Sequence, residues 1–191
     1  MGRNKMLLEL GGESLVRRAA HRALGGGVSP LVVVLGAEAA TVRRELHGLS
    51  ATMVVNPDYA SGITSSMRAG LRALPAVSAA VVLLGDMPHV TSEMIREMIE
   101  RYEATRACVV ISEYGGVRAP PILYDCRLFA ELLAIADDGR GREVAERHRE
   151  ASEVMRWPAT ILQDLDVPAD YERVVGVADL SRDASHPLTT S

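Results

Sequence analysis

Largely apolar segments of strand length alternate with stretches of helical period through the first 112 residues, and this alternation constrains the fold more than any other feature. Residues 31–35 read Leu-Val-Val-Val-Leu without interruption, and further strand segments follow at 51–55, 80–84 and 107–112. A run that is apolar at every position, rather than at every second one, suits a strand buried on both faces of a sheet sandwiched between helices. Segments 13–24, 38–47, 62–74 and 92–102 carry apolar residues at helical spacing. In the first, Leu15, Ala19, Ala20, Ala23 and Leu24 are interleaved with Arg17, Arg18 and Arg22, and Gly25-Gly26-Gly27 ends it. The expected fold class is α/β: a three-layer α/β/α, Rossmann-like arrangement with a mainly parallel mixed sheet.

Beyond residue 112 the alternation lapses. Tyr114-Gly115-Gly116-Val117 reads as a hairpin turn, and Pro120-Pro121-Ile122 as at most an edge or terminal strand, since proline donates no ladder hydrogen bond. A helix is expected over 126–135, then a polar glycine-rich loop over 137–142 and a short helix through His148. Short strands at 155–157 and 161–164 and a helix at 169–175 complete a single domain, 1–179, followed by a polar tail, 180–191.

Several function classes are disfavoured. The net charge of -4, with arginines scattered among acids, offers no basic field for nucleic acid. No run of 18 apolar residues exists and the amino terminus lacks a signal-peptide pattern, which predicts a cytoplasmic protein with no membrane partner. Cys108 and Cys126 have no metal-like spacing and read as small apolar residues in a reducing compartment. No Gly-x-Gly-x-x-Gly follows a strand, which argues against a Rossmann dehydrogenase.

In an open parallel sheet, ligands sit beyond the carboxyl ends of the strands, so the loops after the apolar runs are where chemistry is sought. Gly85-Asp86-Met87-Pro88 places an acid at the end of a buried run, and Asp164-Leu165-Asp166-Val167-Pro168 spaces two acids so that extended backbone points both one way. Carboxylates converging from separate strand ends suit Mg²⁺, which takes few protein ligands and keeps water and phosphate oxygens. Asp-x-Pro is equally turn chemistry. Asn56 to Ser66 opens a helix rich in Gly, Ser and Thr, whose free N–H groups suit a phosphate; the same pattern also serves as an ordinary serine cap.

These residues together resemble the MobA-like NTP transferases, and among them the molybdopterin cytidylyltransferases. Met1-Gly2-Arg3-Asn4-Lys5-Met6-Leu7-Leu8 is similar to the tail of the family's opening signature, and Gly12-Glu13-Ser14-Leu15 to the turn after it. Asn56-Pro57, Gly62 and Ser65-Ser66 resemble its nucleotide-side loop, and Gly85-Asp86-Met87-Pro88 its metal-binding Gly-Asp-x-Pro. Arg118-Ala119-Pro120-Pro121 resembles a segment usually written Arg-Gly-His-Pro, Asp138-Gly139-Arg140-Gly141-Arg142 a Gly-Asp-x-Gly-x-Arg loop, and Asp164-Leu165-Asp166-Val167-Pro168 an Asp-x-Asp-x-Pro. The resemblance implies a nucleotide-diphospho-sugar transferase type of fold. It also implies that the family's first strand and glycine-rich loop fall before Met1, so that residues 1–191 alone leave a gap in the sheet flanked by unpaired backbone.

The activity implied is transfer of a nucleoside monophosphate, CMP from CTP, to a phosphorylated acceptor such as molybdopterin, with Mg²⁺, or Mn²⁺ in its place, as cofactor and pyrophosphate leaving. By resemblance, Asp86 and Asp166 are metal ligands, with Asp164 as a third or orienting acid. Lys5 and Asp86 serve catalysis. Gly2, Lys5, Asn56, Gly62, Ser65, Ser66 and Asp86 face the nucleotide, and Arg118, Pro121, Gly139 and Arg142 the acceptor. His89 reads as a loop residue, because a phosphate nucleophile is already ionised. The partners expected are an NTP, a phosphorylated pterin and a molybdoenzyme apoprotein, for a chain that is a monomer or weak dimer. The alternatives are a guanylyl- or sugar-phosphate nucleotidyltransferase, or a non-catalytic accessory protein that binds the molybdenum cofactor.

Overall fold

A computed structural model describes residues 4–136 and 141–162, with only the backbone of Arg142. Gly2, Gly139, Asp164, Asp166, the 169–175 helix and the polar tail lie outside the described residues, as does the Arg142 side chain.

A 3-10 turn, Lys5–Leu7, leads into a two-residue hairpin, β1 (Glu9–Leu10) with β2 (Glu13–Ser14). Next come α1 (Leu15–Gly25), β3 (Val32–Leu35), α2 (Ala39–Glu45), β4 (Thr52–Val55), α3 (Ile63–Ala73), β5 (Ala79–Val82) and α4 (Ser92–Thr105). The remainder is β6 (Val109–Tyr114), β7 (Val117–Asp125), α5 (Phe129–Leu133), α6 (Gly141–Arg147) and β8 (Ser152–Trp157). β3 and β4 pair in parallel. The other four strands run in the order β5-β7-β6-β8, with β7 antiparallel to both neighbours and β6 parallel to β8, so the sheet is mixed.

Helices cover both faces. α4 buries Met94, Ile95, Met98 and Tyr102, one stripe at helical spacing, against Val110 and Leu123. Thr91 Oγ1 caps its start by accepting from the Met94 N–H at 3.2 Å. On the opposite face Leu71 of α3 and Leu132 of α5 pack on Val109, Ile111, Ile122 and Tyr124. Each fully buried side chain of this size contributes about 1.5–3 kcal/mol.

Four expectations need correction. β7, the strand with the two prolines, is interior. It escapes the proline penalty because its register with β6 slips between Ile111↔Ile122 and Ser112↔Ala119, while its pairing with β5 ends at Ile122, so Pro120 and Pro121 occur in neither ladder. Segment 126–135 is not one helix: a 3-10 turn, Cys126–Leu128, precedes α5, with the Asp125 side chain capping the turn. The described part of segment 161–164 ends a 3-10 turn, Ala159–Leu162, instead of forming a strand. Finally, Val32, Val33, Val34 and all of β5 are only half-buried, although every one is apolar, because β3 and β5 do not pair with each other and a cleft separates them.

Candidate functional site

Three loops meet at the carboxyl ends of β3, β4 and β5. Asn4, at the head of the first turn, donates from Nδ2 to the Ala37 carbonyl at 3.4 Å, just past β3. Two residues on, Met6 packs over Gly85 so closely that a Cβ there would lie 2.7 Å from its sulfur. Glycine at 85 is therefore what lets the Asn4–Met6 segment settle on the end of β5, and Lys5 lies in that segment. The Asn56 N–H donates to the Leu35 carbonyl at 2.8 Å, which ties the β4 loop to the same rim.

Inside the β4 loop the polar groups satisfy one another. Asn56 and Ser65 are 4% and 7% exposed. Asn56 Nδ2 donates to Ser65 Oγ at 2.8 Å and to Ser66 Oγ at 3.1 Å, while Ser65 Oγ reaches the Gly62 and Asp58 carbonyls at 2.8 and 2.9 Å. These side chains frame the loop, and what they leave open is the start of α3. Gly62, the N-cap, stands there at φ +116° and as a glycine supplies no side-chain cap. Gly36 permits the close approach of Tyr59, whose Cβ a side chain at 36 would meet at 2.8 Å.

Asp86 lies in the turn after β5, half-buried, and among the described residues its carboxylate has no hydrogen-bond or ion-pair partner. No group of three metal-ligating side chains occurs among the described residues, and Asp164 and Asp166 lie outside them. As a metal ligand Asp86 fits in burial, in charge and in being uncommitted.

The acceptor-side candidates are held differently. Arg118 Nη1 donates to Glu146 at 2.8 Å, and its Nε lies 3.8 Å from Glu113, so its charge is already matched. Pro121 is buried within β7 and serves the frame. Residues 137–140 are bracketed by two anchors on α3. Arg68 donates to the Ile135 carbonyl at 2.7 Å on one side, and on the other a Cβ at Gly141 would meet Met67 Sδ at 3.0 Å and the Tyr124 hydroxyl at 3.2 Å. One helix thus contacts both Ile135 and Gly141. Sequence spacing gave no sign of these anchors, because they join residues 67 positions apart or more.

Also missed was a polar cluster below Pro88. His89 Nε2, Arg18 Nε and Ser14 Oγ are buried without protein partners, and burial, with Arg18 nearby, lowers the His89 pKa below its usual value. An exposed apolar rim of Val55, Tyr59 and Ile63 flanks the start of α3. A lone tyrosine in a polar loop was the single signal available for it.

A mixed sheet with an open helix start and an uncommitted acid on one rim defines a Rossmann-like α/β domain of the nucleotidyltransferase type. Residues 1–152 match the MobA-like NTP transferase domain, and the chain belongs to that family. Nicotine blue oxidoreductase from Paenarthrobacter nicotinovorans is 32% identical over 119 residues, 62% of this chain and 57% of its own length. The chain spans about half the length of that relative. Rv0371c from Mycobacterium tuberculosis H37Rv, solved as a complex with manganese, superposes with a TM-score of 0.75 at 24% identity, over 92% of this chain and 93% of that one. Molybdopterin-guanine dinucleotide biosynthesis protein A from Archaeoglobus fulgidus does so at 0.65 and 19%, over 94% and 92%. At these identities the solved structures establish the fold. Among the described residues no helix is long and apolar enough to cross a membrane.

Proposed function

We propose that the chain is a cytoplasmic, divalent-metal-dependent nucleotidyltransferase that moves CMP from CTP onto the phosphate of a molybdopterin-like acceptor. An acceptor phosphate oxygen forms a bond to the α-phosphorus while the bond from that phosphorus to the β-phosphate oxygen breaks, and pyrophosphate leaves with the electron pair. The observation that carries the reading is the uncommitted carboxylate of Asp86 on the rim shared by the Lys5 turn and the start of α3.

Asp86, with Asp166 and then Asp164, holds the cation. Mg²⁺, or the Mn²⁺ named for the Mycobacterium relative, supplies neutralisation of phosphate charge as the leaving group departs. Lys5 adds a positive charge to the triphosphate, and Gly2 belongs to the same loop. The N–H groups at the start of α3 bind phosphate oxygens, a site framed by Asn56, Gly62, Ser65 and Ser66. Arg142 and Gly139 contact the acceptor, and Arg118 reaches it by exchanging Glu146 for an acceptor oxygen. The acceptor assignment draws support from the Archaeoglobus relative and from the Arg118 and Gly139 to Arg142 motifs.

Pyrophosphate release, measured with molybdopterin and each NTP in turn, tests this. Release with CTP that disappears in Asp86→Asn supports it, and release with GTP alone moves the assignment to guanylyl transfer. Pterin binding by calorimetry without turnover of any NTP points to an accessory cofactor carrier. That reading is favoured by the inward commitment of Asn56 and Ser65.

A further inference from the structure

Three buried polar atoms stand outside the proposed chemistry, and they gather where α1 meets the turn that carries Asp86. Ser14, Arg18, Arg22 and Gly25 recur at helical spacing and form one stripe along α1. The far end of that stripe is fastened to α4 directly. Ser92 Oγ donates to the Arg22 carbonyl at 3.1 Å, and Arg96 Nη2 to the Gly25 carbonyl at 3.0 Å. The near end, Ser14 and Arg18, faces His89, three residues before Ser92 in the chain.

Each of the three is buried in a different way. Ser14, the N-cap of α1, is 3% exposed, and its hydroxyl caps no backbone N–H. Arg18 Nη1 donates to the Leu10 carbonyl at 3.4 Å, which leaves its Nε on the inside. His89 keeps Nε2 inside as well, and burial first, then the Arg18 charge, lowers its pKa, so the ring is neutral at pH 7. Leaving three such groups unpaired is costly, and one small molecule that both accepts and donates relieves them all. Water does so: it accepts from the Arg18 Nε–H, donates to an unprotonated Nε2, and pairs with the Ser14 hydroxyl in either sense. An anion only accepts.

We propose that Ser14 Oγ, Arg18 Nε and His89 Nε2 hold one internal water, and that through it His89 is a positioning residue, fixing the turn that bears Asp86 against α1. The inference rests on the reading of Asp86 as a metal ligand. Because the Asp86 carboxylate has no partner among the described residues, its direction is set by the backbone on either side. On one side Met6 packs over Gly85. On the other, Pro88 and Val90 are buried, the Val90 N–H donates to the Met87 carbonyl at 3.3 Å, and His89 carries the polar tie to α1.

A crystal structure of the chain is expected to show one water within about 3.2 Å of all three atoms. Direct pairing among them, or an anion in their midst, overturns the proposal. Mn²⁺, the ion of the Rv0371c complex, probes the positioning, with its affinity read by electron paramagnetic resonance in the absence of nucleotide. His89→Leu is expected to weaken binding about 10-fold, the scale of losing an outer-shell support, and His89→Gln, which returns a polar atom, to restore most of it. Ser14→Ala, which removes one of the water's partners, is expected to weaken binding about threefold and decides the matter if His89→Leu does not fold. A lower melting temperature in these variants with unchanged Mn²⁺ affinity of the folded protein assigns the cluster to structure alone and overturns the proposal. Asp86→Asn keeps the two readings apart. Loss of Mn²⁺ there with none in His89→Leu sinks this inference and leaves Asp86 as a ligand, whereas affinity untouched by either substitution sinks both.

Discussion

Two aspartates mark the two ends of β5, and they are used in opposite ways. Asp125, paired with Ala79 at the amino end, is 5% exposed and fully engaged. It accepts from the Arg127 N–H and Nε at 2.8 Å each, from Arg127 Nη2 at 3.1 Å and from the Tyr102 hydroxyl at 2.8 Å. The Arg127 guanidinium above all, with its backbone N–H and Tyr102, outweighs burial and holds the carboxyl down at about 2. Asp86, at the carboxyl end, is half-buried with no partner among the described residues. The same side chain is structure at one end of the strand and available chemistry at the other; the number of donors around it makes the difference.

Substitution at the two positions separates stability from activity. Asp86→Asn is expected to lower pyrophosphate release by about 1,000-fold, the scale of removing a main electrostatic stabiliser, while the melting free energy shifts by less than about 0.5 kcal/mol. An equal loss of stability at Asp86 would erase the contrast. Asp125→Asn is expected to cost about 2–3 kcal/mol in denaturant unfolding, the scale of hydrogen bonds to a buried charge. Its catalytic effect is expected to vanish once the folded fraction is corrected for.

Acid unfolding sharpens the same comparison. Because the folded pKa of Asp125 is below its ordinary 3.8, its contribution is complete above that value and is lost as pH falls through about 2. His89 also has a depressed folded pKa, so its neutral form stabilises above about 6.5 and that contribution fades as pH falls below it. Urea midpoints of the parent and of Asp125→Asn, measured from pH 7 to 2, should converge only at the acid end. A pH-independent gap would refute the assigned cause.

Asn56→Ala tests the framing role of the β4 loop. It removes a buried donor shared by two serines and is expected to destabilise by about 1–2 kcal/mol and to raise KM for the NTP more than it lowers kcat. The smallest effect belongs to Arg118→Ala. Its pairs with Glu113 and Glu146 are partly solvent-exposed and contribute less than about 1 kcal/mol, so only KM for the acceptor should move.

Much of this was legible in the residues. The β-branched runs and amphipathic helices gave the α/β class. Gly115-Gly116 gave the hairpin, which forms with both glycines at positive φ, and Gly85-Asp86 gave the position of the acid on the rim. The prolines of β7 misled because proline reports a local penalty, and a two-residue register slip removed it. Nor did the sequence reveal that Asn56 turns inward to Ser65, or that Ile135 and Gly141 lie against α3 at Arg68 and Met67.

Periodicity and composition determine which segments become helix or strand, since those choices are settled within a few residues by backbone geometry and solvent. Only the tertiary structure decided which edges of β3 and β5 stay open, which of the two aspartates is surrounded by donors, and which loops share a rim. Those outcomes depend on residues brought together from distant parts of the chain, whose proximity no local pattern encodes.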